Sequence, residues 1–253
     1  MKINITLEFD VNVNIDFKKA KLCRGNNIKM GDSIASWSTL KGDDEIYIER
    51  LGCSVRGTCG RHCKGCTGTC YVNSSYNRYP SVKYGHAIRT LALRQSPEKV
   101  YETIYNQLKR ARKPYTVVRV DQSGEIENVK QFRVFSRLAE DFPEITFYIY
   151  TKNYNVAVPE LLAGNVPENF IINFSIWHEQ GIKEFNLVKH LKNVQAFAYI
   201  DKDNSFDYEA AGLHIETMCT AYNSKGQMDH NITCEKCKKC FSGLYKVIGC
   251  NEH

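Results

Sequence analysis

The spacing of hydrophobic residues changes along the chain and predicts three regions. From Lys2 to Lys18, apolar and polar residues alternate almost without exception, which is typical of β-structure with one buried face. We therefore expect residues 1–44 to form an N-terminal β extension packed on a main domain. Ile34 and Trp37 mark a short element at the end of this extension.

Two helices are predicted before the middle of the chain. Ser81 to Gln95 carries apolar residues at helical spacing. A second helix begins at Ser96, where a serine cap is followed by a proline and a glutamate. Val100, Ile104 and Leu108 then recur every four residues and predict a buried stripe.

The middle of the chain repeats one theme, a strand followed by a helix. This pattern predicts an α/β fold with a parallel sheet, which we interpret as a partial (β/α) TIM-like barrel over residues 45–205. The predicted strands are Glu45–Leu51, Tyr115–Asp121, Ile145–Thr151, Phe170–Ile176 and Val194–Ile200. The helices between them are predicted at Val129–Phe142, Pro159–Gly164 and Glu184–Leu191.

Polar residues follow several of these strands. In such folds the ligand site lies at the C-terminal ends of the strands, so these residues are candidates for chemistry. Lys152 and His178 are candidate catalytic residues, although a surface lysine and a hydrogen-bonded structural histidine are the ordinary interpretations. Arg119 and Asp121 alternate on one strand, so they either line the interior of the barrel or form an ion pair.

A cysteine-rich loop, residues 53–70, interrupts these regular patterns. It holds Cys53, Cys59, Cys63, Cys66 and Cys70, separated by glycines and small polar residues. Such a loop buries little apolar surface, so it needs a bound group to hold a shape. Thiolates suit iron–sulfur clusters and zinc, and we favour a [4Fe-4S] cluster because strand–helix units follow the loop.

A second cysteine region occupies the C-terminal segment, residues 206–253. Cys219 precedes Cys234, Cys237 and Cys240, which are spaced as Cys-x2-Cys-x2-Cys. Four thiolates fit either a structural zinc or a second [4Fe-4S] cluster. Cys250 is interpreted as a spare thiol.

Composition and charge restrict the class of protein. The 253 residues are 43% hydrophobic and 25% charged, as expected of a folded soluble protein. No long apolar run predicts a membrane span, and no signal peptide is recognised at the N-terminus. Eleven cysteines then indicate a reducing cytoplasmic location. The net charge of +6 and the basic run Lys109–Lys113 are weak indications of nucleic-acid binding.

The loop spacing Cys59-x3-Cys63-x2-Cys66, after a strand and before strand–helix units, resembles that of the radical S-adenosylmethionine enzymes. The resemblance covers roughly residues 46–200. It implies three cysteine ligands to a four-iron cluster, with the open iron binding S-adenosylmethionine. It also implies that the turn Ser123, Gly124 and Glu125 contacts this cofactor.

Several further segments resemble the phage gene-product-88 family over nearly the whole chain. They are GNNIKMG, the loop end at Cys70, VRVDQSGEI, FPEITFYIYTKNY, NFSIW and the C-terminal cysteines. This resemblance implies a phage or prophage protein working in a bacterial host and favours Cys70 as a ligand. Gly65 stands where an aromatic residue is usual in the radical enzymes. The ligand sets 59/63/66, 63/66/70 and 59/66/70 therefore stay open, and Cys53 could substitute in any of them.

Two functions follow from these observations. The first is an iron–sulfur enzyme that cleaves S-adenosylmethionine reductively, takes electrons from a donor and acts on a substrate that the sequence does not identify. The second is a non-catalytic phage protein that holds iron–sulfur or zinc for stability and binds nucleic acid or a host protein.

Overall fold

A computed structural model of the chain describes residues 13–24, 29–42, 44–60, 70–203, 205–222, 227, 229 and 231–252. Within these residues the strands are β1 Cys23–Arg24, β2 Ile34–Ser36, β3 Glu45–Ile48, β4 Cys53–Arg56, β5 Val117–Val120, β6 Thr146–Thr151, β7 Phe170–Trp177, β8 Val194–Ile200, β9 Thr217–Met218 and β10 Val247–Asn251. The helices are α1 Val72–Arg78, α2 Pro80–Gln95, α3 Pro97–Lys109, α4 Val129–Asp141, α5 Tyr154–Leu162, α6 Ile182–Val188 and the short α7 Cys234–Cys237.

Eight of the strands form one mostly parallel sheet. Its order is β1-β2-β5-β6-β7-β8-β10-β9, and only β1 and β2 pair antiparallel. The order is linear, with β1 and β9 at the two edges, so the described residues form an open sheet and no closed TIM barrel is found. The two remaining strands, β3 and β4, form a separate antiparallel hairpin.

The long helices cover one face of this sheet. From α2 to α6, each helix contacts the next along the chain. Their buried side chains form one core with alternate strand residues, such as Val118, Ile149 and Phe174, because successive strand residues point to opposite faces. In α4, for example, Phe132 and Phe135 are buried against the sheet.

The other face of the sheet is polar and aromatic, and we call it the open face. Strand register places Arg119 beside Tyr148, and it aligns Tyr150, Asn173 and Gln195. The C-terminal segment packs on this open face. The Asn173 amide donates to the carbonyl of residue 240 at 2.9 Å, and the Gln195 amide donates to the carbonyls of residues 239 and 245.

The strand–helix repeat predicted from the sequence is confirmed, and β8 has the predicted bounds. The α3 cap is also confirmed, since the Ser96 hydroxyl accepts from the backbone N–H of Lys99. The N-terminal alternating pattern lies mostly outside the described residues. Its last part differs from the predicted strand, because Phe17–Lys19 forms a 3-10 turn.

Three elements were not predicted. Cys53–Arg56 was interpreted as loop, but it forms β4, in which residues 53 and 55 are buried and residues 54 and 56 are exposed. The polar helix α1 follows the cysteine loop directly. Strand β10 extends the main sheet beside β8, so the C-terminal segment contributes to the sheet as well as to a cysteine site.

Candidate functional site

Both ends of the cysteine loop are attached to the turn that follows β5. At the first end, the Thr58 hydroxyl accepts from the backbone N–H of Glu125 at 2.7 Å and donates to the carbonyl of Leu40. At the second end, the Tyr71 hydroxyl donates to the carbonyl of Gln122. The loop therefore begins and ends at the C-terminal edge of the sheet, where parallel-sheet proteins bind ligands.

Two buried carboxyl groups lie beneath this attachment. Asp121 is buried with a φ of +45°, a conformation that non-glycine residues adopt rarely and that is concentrated at functional sites. Its Oδ1 accepts from the Thr39 hydroxyl at 3.1 Å, and its Oδ2 has no hydrogen-bond partner among the described residues. Burial, and then repulsion by Glu125, raises the pKa of Asp121 well above its usual range.

The other carboxyl group belongs to Glu125 and is fully hydrogen-bonded. It accepts from the Thr151 hydroxyl and the backbone N–H of Lys152, each at 2.8 Å, and from the N–H of Ile126. Burial raises the pKa of Glu125 to about 7, and these hydrogen bonds limit the rise. The carboxylate thus joins the turn after β5 to the end of β6.

The predicted cofactor turn, residues 123–125, is packed tightly against the chain. Gly124 has a φ of +84°, and a Cβ there would lie 2.0 Å from the Thr39 hydroxyl. The carbonyl of Ser123 accepts from the backbone N–H of Thr39 at 2.9 Å. The contacts seen for this turn hold the first end of the loop, and its contact with a cofactor stays a prediction.

The predicted loop ligands fall into three groups. Cys59 and Cys70 lie at the two attached ends and are partly exposed. Cys63 and Cys66 lie outside the described residues. Cys53 is buried in the core on β4, away from the end of the loop, and burial raises the pKa of its thiol.

The C-terminal thiols lie near one another on the open face. Burial raises the pKa of Cys240 to about 12, and the nearby sulfurs of Cys219, Cys234 and Cys237 add to that shift. A hydrogen bond from the Cys250 thiol lowers the pKa of Cys219 to about 6. The structure thus brings the four predicted thiols into electrostatic range and places a fifth thiol, Cys250, next to the first of them.

An N-terminal segment fixes the position of these thiols. The carbonyls of Lys29 and Met30 accept from the backbone N–H groups of residues 234 and 235, at the start of α7. Gly31 has a φ of +89°, and a Cβ there would lie 2.3 Å from a carboxylate oxygen of Glu235. The segment Lys29–Gly31 therefore supports the second cysteine site.

Positive side chains surround the same thiols. The field of Lys29 and Lys239 lowers the pKa of Cys219. Burial raises the pKa of Cys234, and the positive charges of Arg119 and Lys29 oppose that rise. These positive charges favour thiolate sulfurs, which are the form that binds metals, whereas burial opposes that form at Cys234 and Cys240.

Lys152 and His178 both lie at the C-terminal edge, as predicted. The ammonium of Lys152 lies 5.4 Å from the centre of the Trp177 ring. His178 has a φ of +53°, and its Nε2 lies 2.9 Å from a carboxylate oxygen of Asp201. The structure thus brings Lys152, Trp177, His178 and Asp201 together, and the Asp201 carboxylate fixes the orientation of the His178 ring.

Arg119 and Asp121 do not form an ion pair. The guanidinium of Arg119 lies on the open face, near the Tyr71 hydroxyl and the sulfur of Met30. The carboxyl of Asp121 bonds to Thr39. Of the two interpretations of these residues, the ion pair is therefore wrong.

Two further findings concern the described part of the chain. Among those residues, no three His, Cys, Asp or Glu side chains are arranged closely enough to hold a metal ion, so the ligand sets stay predictions. No helix there has the length and apolar character needed to cross a membrane.

The basic run 109–113 precedes β5, at the edge of the sheet opposite the cysteine loop.

Sequence reasoning placed Asp201 among the polar residues that follow the predicted strands, but it did not identify Tyr71 and Cys250 as parts of the site. Tyr71 carries no local signal, because its partners come from another strand and its following turn. Cys250 could have been recognised, since the apolar run from Val247 predicts a strand in the sheet.

One comparison with known proteins gave a match. A family model described as gene product 88 matches residues 15–243, so the predicted cysteine ligands of both regions fall within it. No curated protein and no solved structure matches the chain.

Proposed function

The chain belongs to the phage gene product 88 family, and we propose, from its own site residues alone, that it is an iron–sulfur protein with radical S-adenosylmethionine chemistry. The observation that carries this proposal is the attachment of both ends of the cysteine loop to one turn, at the C-terminal edge of β5. When bound, a four-iron cluster with one open iron would pass one electron from an external donor to S-adenosylmethionine, which would cleave it to methionine and a deoxyadenosyl radical.

The residues around the loop would hold this group in place. Cys59, Cys63 and Cys66 are the proposed ligands, and Cys70 is the alternative for one of them. Thr58 fixes the first end through Glu125, and Tyr71 fixes the second. We assign the turn Ser123–Glu125 the task of positioning the loop, because its polar groups already bond within the chain.

We also propose a partial barrel around the site. Helices on one face of a parallel sheet support this shape, and in such barrels the ligand-binding residues lie at the C-terminal ends of the strands. The substrate would then lie near the strand ends that carry Lys152 and His178. The His178–Asp201 pair can accept or donate a proton there.

A second metal centre on the open face is part of the proposal. Cys219, Cys234, Cys237 and Cys240 would supply four thiolates, and Lys29, Lys239 and Arg119 offset their charge. Both zinc and a [4Fe-4S] cluster suit this donor set.

A cofactor-cleavage assay tests the proposed function. The full chain is purified without oxygen, reconstituted with iron and sulfide, and mixed with dithionite and S-adenosylmethionine. We expect 5′-deoxyadenosine to form, and we expect its formation to stop in Cys63→Ser and Cys66→Ser. Cys23→Ser is the matched control, because Cys23 lies on β1 at the edge of the sheet, and it should keep the activity.

The alternative of a non-catalytic binding protein predicts other results. Bound zinc without iron, no deoxyadenosine, and nucleic-acid binding that weakens steeply with salt would favour it. Equal cleavage by the wild type and both loop variants would also contradict the proposal, because the loop thiols would then be dispensable.

A further inference from the structure

Arg119 differs in its partners from Arg24, Arg89 and Arg94, the other arginines of the described chain that are buried or half-buried. Its Nη2 lies 3.5 Å from the Tyr71 hydroxyl and its Nη1 lies 4.0 Å from the sulfur of Met30, while its Nε has no hydrogen-bond partner. Six other arginines each bond a carboxylate or carbonyl oxygen at 3.3 Å or less: Arg24, Arg56, Arg89, Arg94, Arg133 and Arg137.

The guanidinium of Arg119 also has no carboxylate partner within the described chain. Among those residues, its side chain takes part in no ion pair with an Asp or Glu. A guanidinium presents five N–H donors and stays charged at any ordinary pH. Leaving such a charge in a half-buried place without an acceptor costs free energy, so the donors of Arg119 indicate a missing anionic partner.

Aromatic side chains form a cradle around the guanidinium of Arg119. The Tyr150 ring lies with its centre 4.9 Å from the guanidinium carbon, and strand pairing places Tyr148 beside Arg119 on the open face. Tyr71, at the rim, is 46% exposed, and Arg119 itself is partly accessible. The cradle is therefore aromatic on its inner side and reachable from solvent beside Tyr71.

We propose that Arg119 binds an oxyanion, the carboxylate or phosphate group of a small molecule, between the end of the cysteine loop and the C-terminal segment. The planar fork of a guanidinium matches two oxygens of such a group. The aromatic walls keep water from competing, which strengthens the charged hydrogen bonds. The Tyr71 hydroxyl lies 3.5 Å from Nη2 of Arg119 and forms the rim of this site.

This inference goes beyond the proposed function, because an anion site at Arg119 requires neither a cluster nor an adenosyl cofactor. The bound anion would lie on the open face beside Arg119 and Tyr148, which pair in neighbouring strands. This position is within the sheet and does not reach the C-terminal ends of the strands. If the cleavage assay gave no product, the inference of an anion site at Arg119 would be unaffected. If the anion test failed, the proposal of an iron–sulfur cluster would be unaffected.

Thermal unfolding with added anions tests the inference. The full chain, purified without oxygen, is titrated with inorganic phosphate and separately with malonate, with chloride at matched ionic strength as the reference. We expect one or both anions to raise the Tm saturably above the chloride reference. In Arg119→Met the half-saturating concentration should rise about tenfold or more, because charge-assisted hydrogen bonds are lost.

Matched variants keep the result interpretable. Arg133→Met removes an arginine that pairs with Glu160 on the helical face and should respond like the wild type. Arg119→Lys keeps the charge without the fork and should bind at an intermediate concentration, which covers the case in which Arg119→Met fails to fold. The relative strength of phosphate and malonate identifies the type of oxyanion.

Two outcomes would overturn the inference. One is a wild-type Tm that no anion raises beyond chloride. The other is a rise in Tm with added anion that is equal in the wild type and in Arg119→Lys, combined with a lower metal content in Arg119→Lys. This combination would show that Arg119 offsets the charge of the thiolates and does not bind an anion.

Discussion

At the scale of single residues, the site depends on groups whose environment changes their ordinary chemistry. Asp121 is buried with a positive φ and an unpaired oxygen, and Glu125 is buried beside it. Their residue types and positions after β5 could be identified from the sequence. Their burial and conformation could not, because Thr39, Thr58 and Thr151, which surround them, come from three separate parts of the chain.

Glu125 makes the stability of the protein depend on pH in a defined direction. Its pKa is about 7 in the folded chain, against an ordinary value of 4.5, so between these values the folded state binds more protons than the unfolded state. The contribution of Glu125 to the free energy of unfolding is fully present below pH 4.5 and is lost as the pH rises through about 7. The loss amounts to roughly 3 kcal/mol at most.

Urea unfolding at pH 5 and pH 8 measures this effect. The free energy of unfolding of the wild type, minus that of Glu125→Gln, should fall from pH 5 to pH 8. Glu144→Gln removes an exposed carboxylate and should show no such change relative to the wild type. A constant difference between the wild type and Glu125→Gln would contradict the raised pKa.

At the scale of elements, the strand–helix repeat could be predicted from the sequence, whereas β4 and α1, which flank the cysteine loop, could not. Strands such as β7 are continuous apolar runs flanked by amphipathic helices, so their type follows from the pattern alone. Strand β4 is short and half polar, and helix α1 consists mostly of polar residues. Their folding depends on partners elsewhere in the chain, which a local pattern does not contain.

The contact between the segment Lys29–Gly31 and α7 is the element-scale feature that a substitution tests best. Gly31→Ala places a Cβ 2.3 Å from the Glu235 carboxylate at a φ of +89°, so α7 must shift. Gly42→Ala is the matched control, because Gly42 also has a positive φ, +52°, but open space around it.

We expect Gly31→Ala to destabilise the protein by roughly 1–3 kcal/mol more than Gly42→Ala does, the usual cost of overpacking. It should also lower the metal bound by the C-terminal thiols. Urea unfolding and metal analysis measure the two effects. Equal losses in both variants would show that backbone strain alone matters and that α7 does not depend on this contact.

At the scale of the whole molecule, the fold brings the two cysteine regions to one sheet. The loop ends lie over the C-terminal edge of β5, and the C-terminal thiols lie on the open face. Arg119 lies between them, near Tyr71 and within the field of Cys234. The sequence predicts each cysteine group from its spacing, but only the parallel sheet brings residues more than 140 positions apart onto one sheet.

The central claim is that the loop thiols hold an iron–sulfur cluster. Iron, sulfide and zinc analysis of the full chain purified without oxygen tests it most directly, beside a variant with Cys59, Cys63 and Cys66 changed to Ser. The account predicts that the variant loses about four iron and four sulfide per chain relative to the wild type. Zinc without iron in the wild type, or equal iron in both proteins, would contradict it.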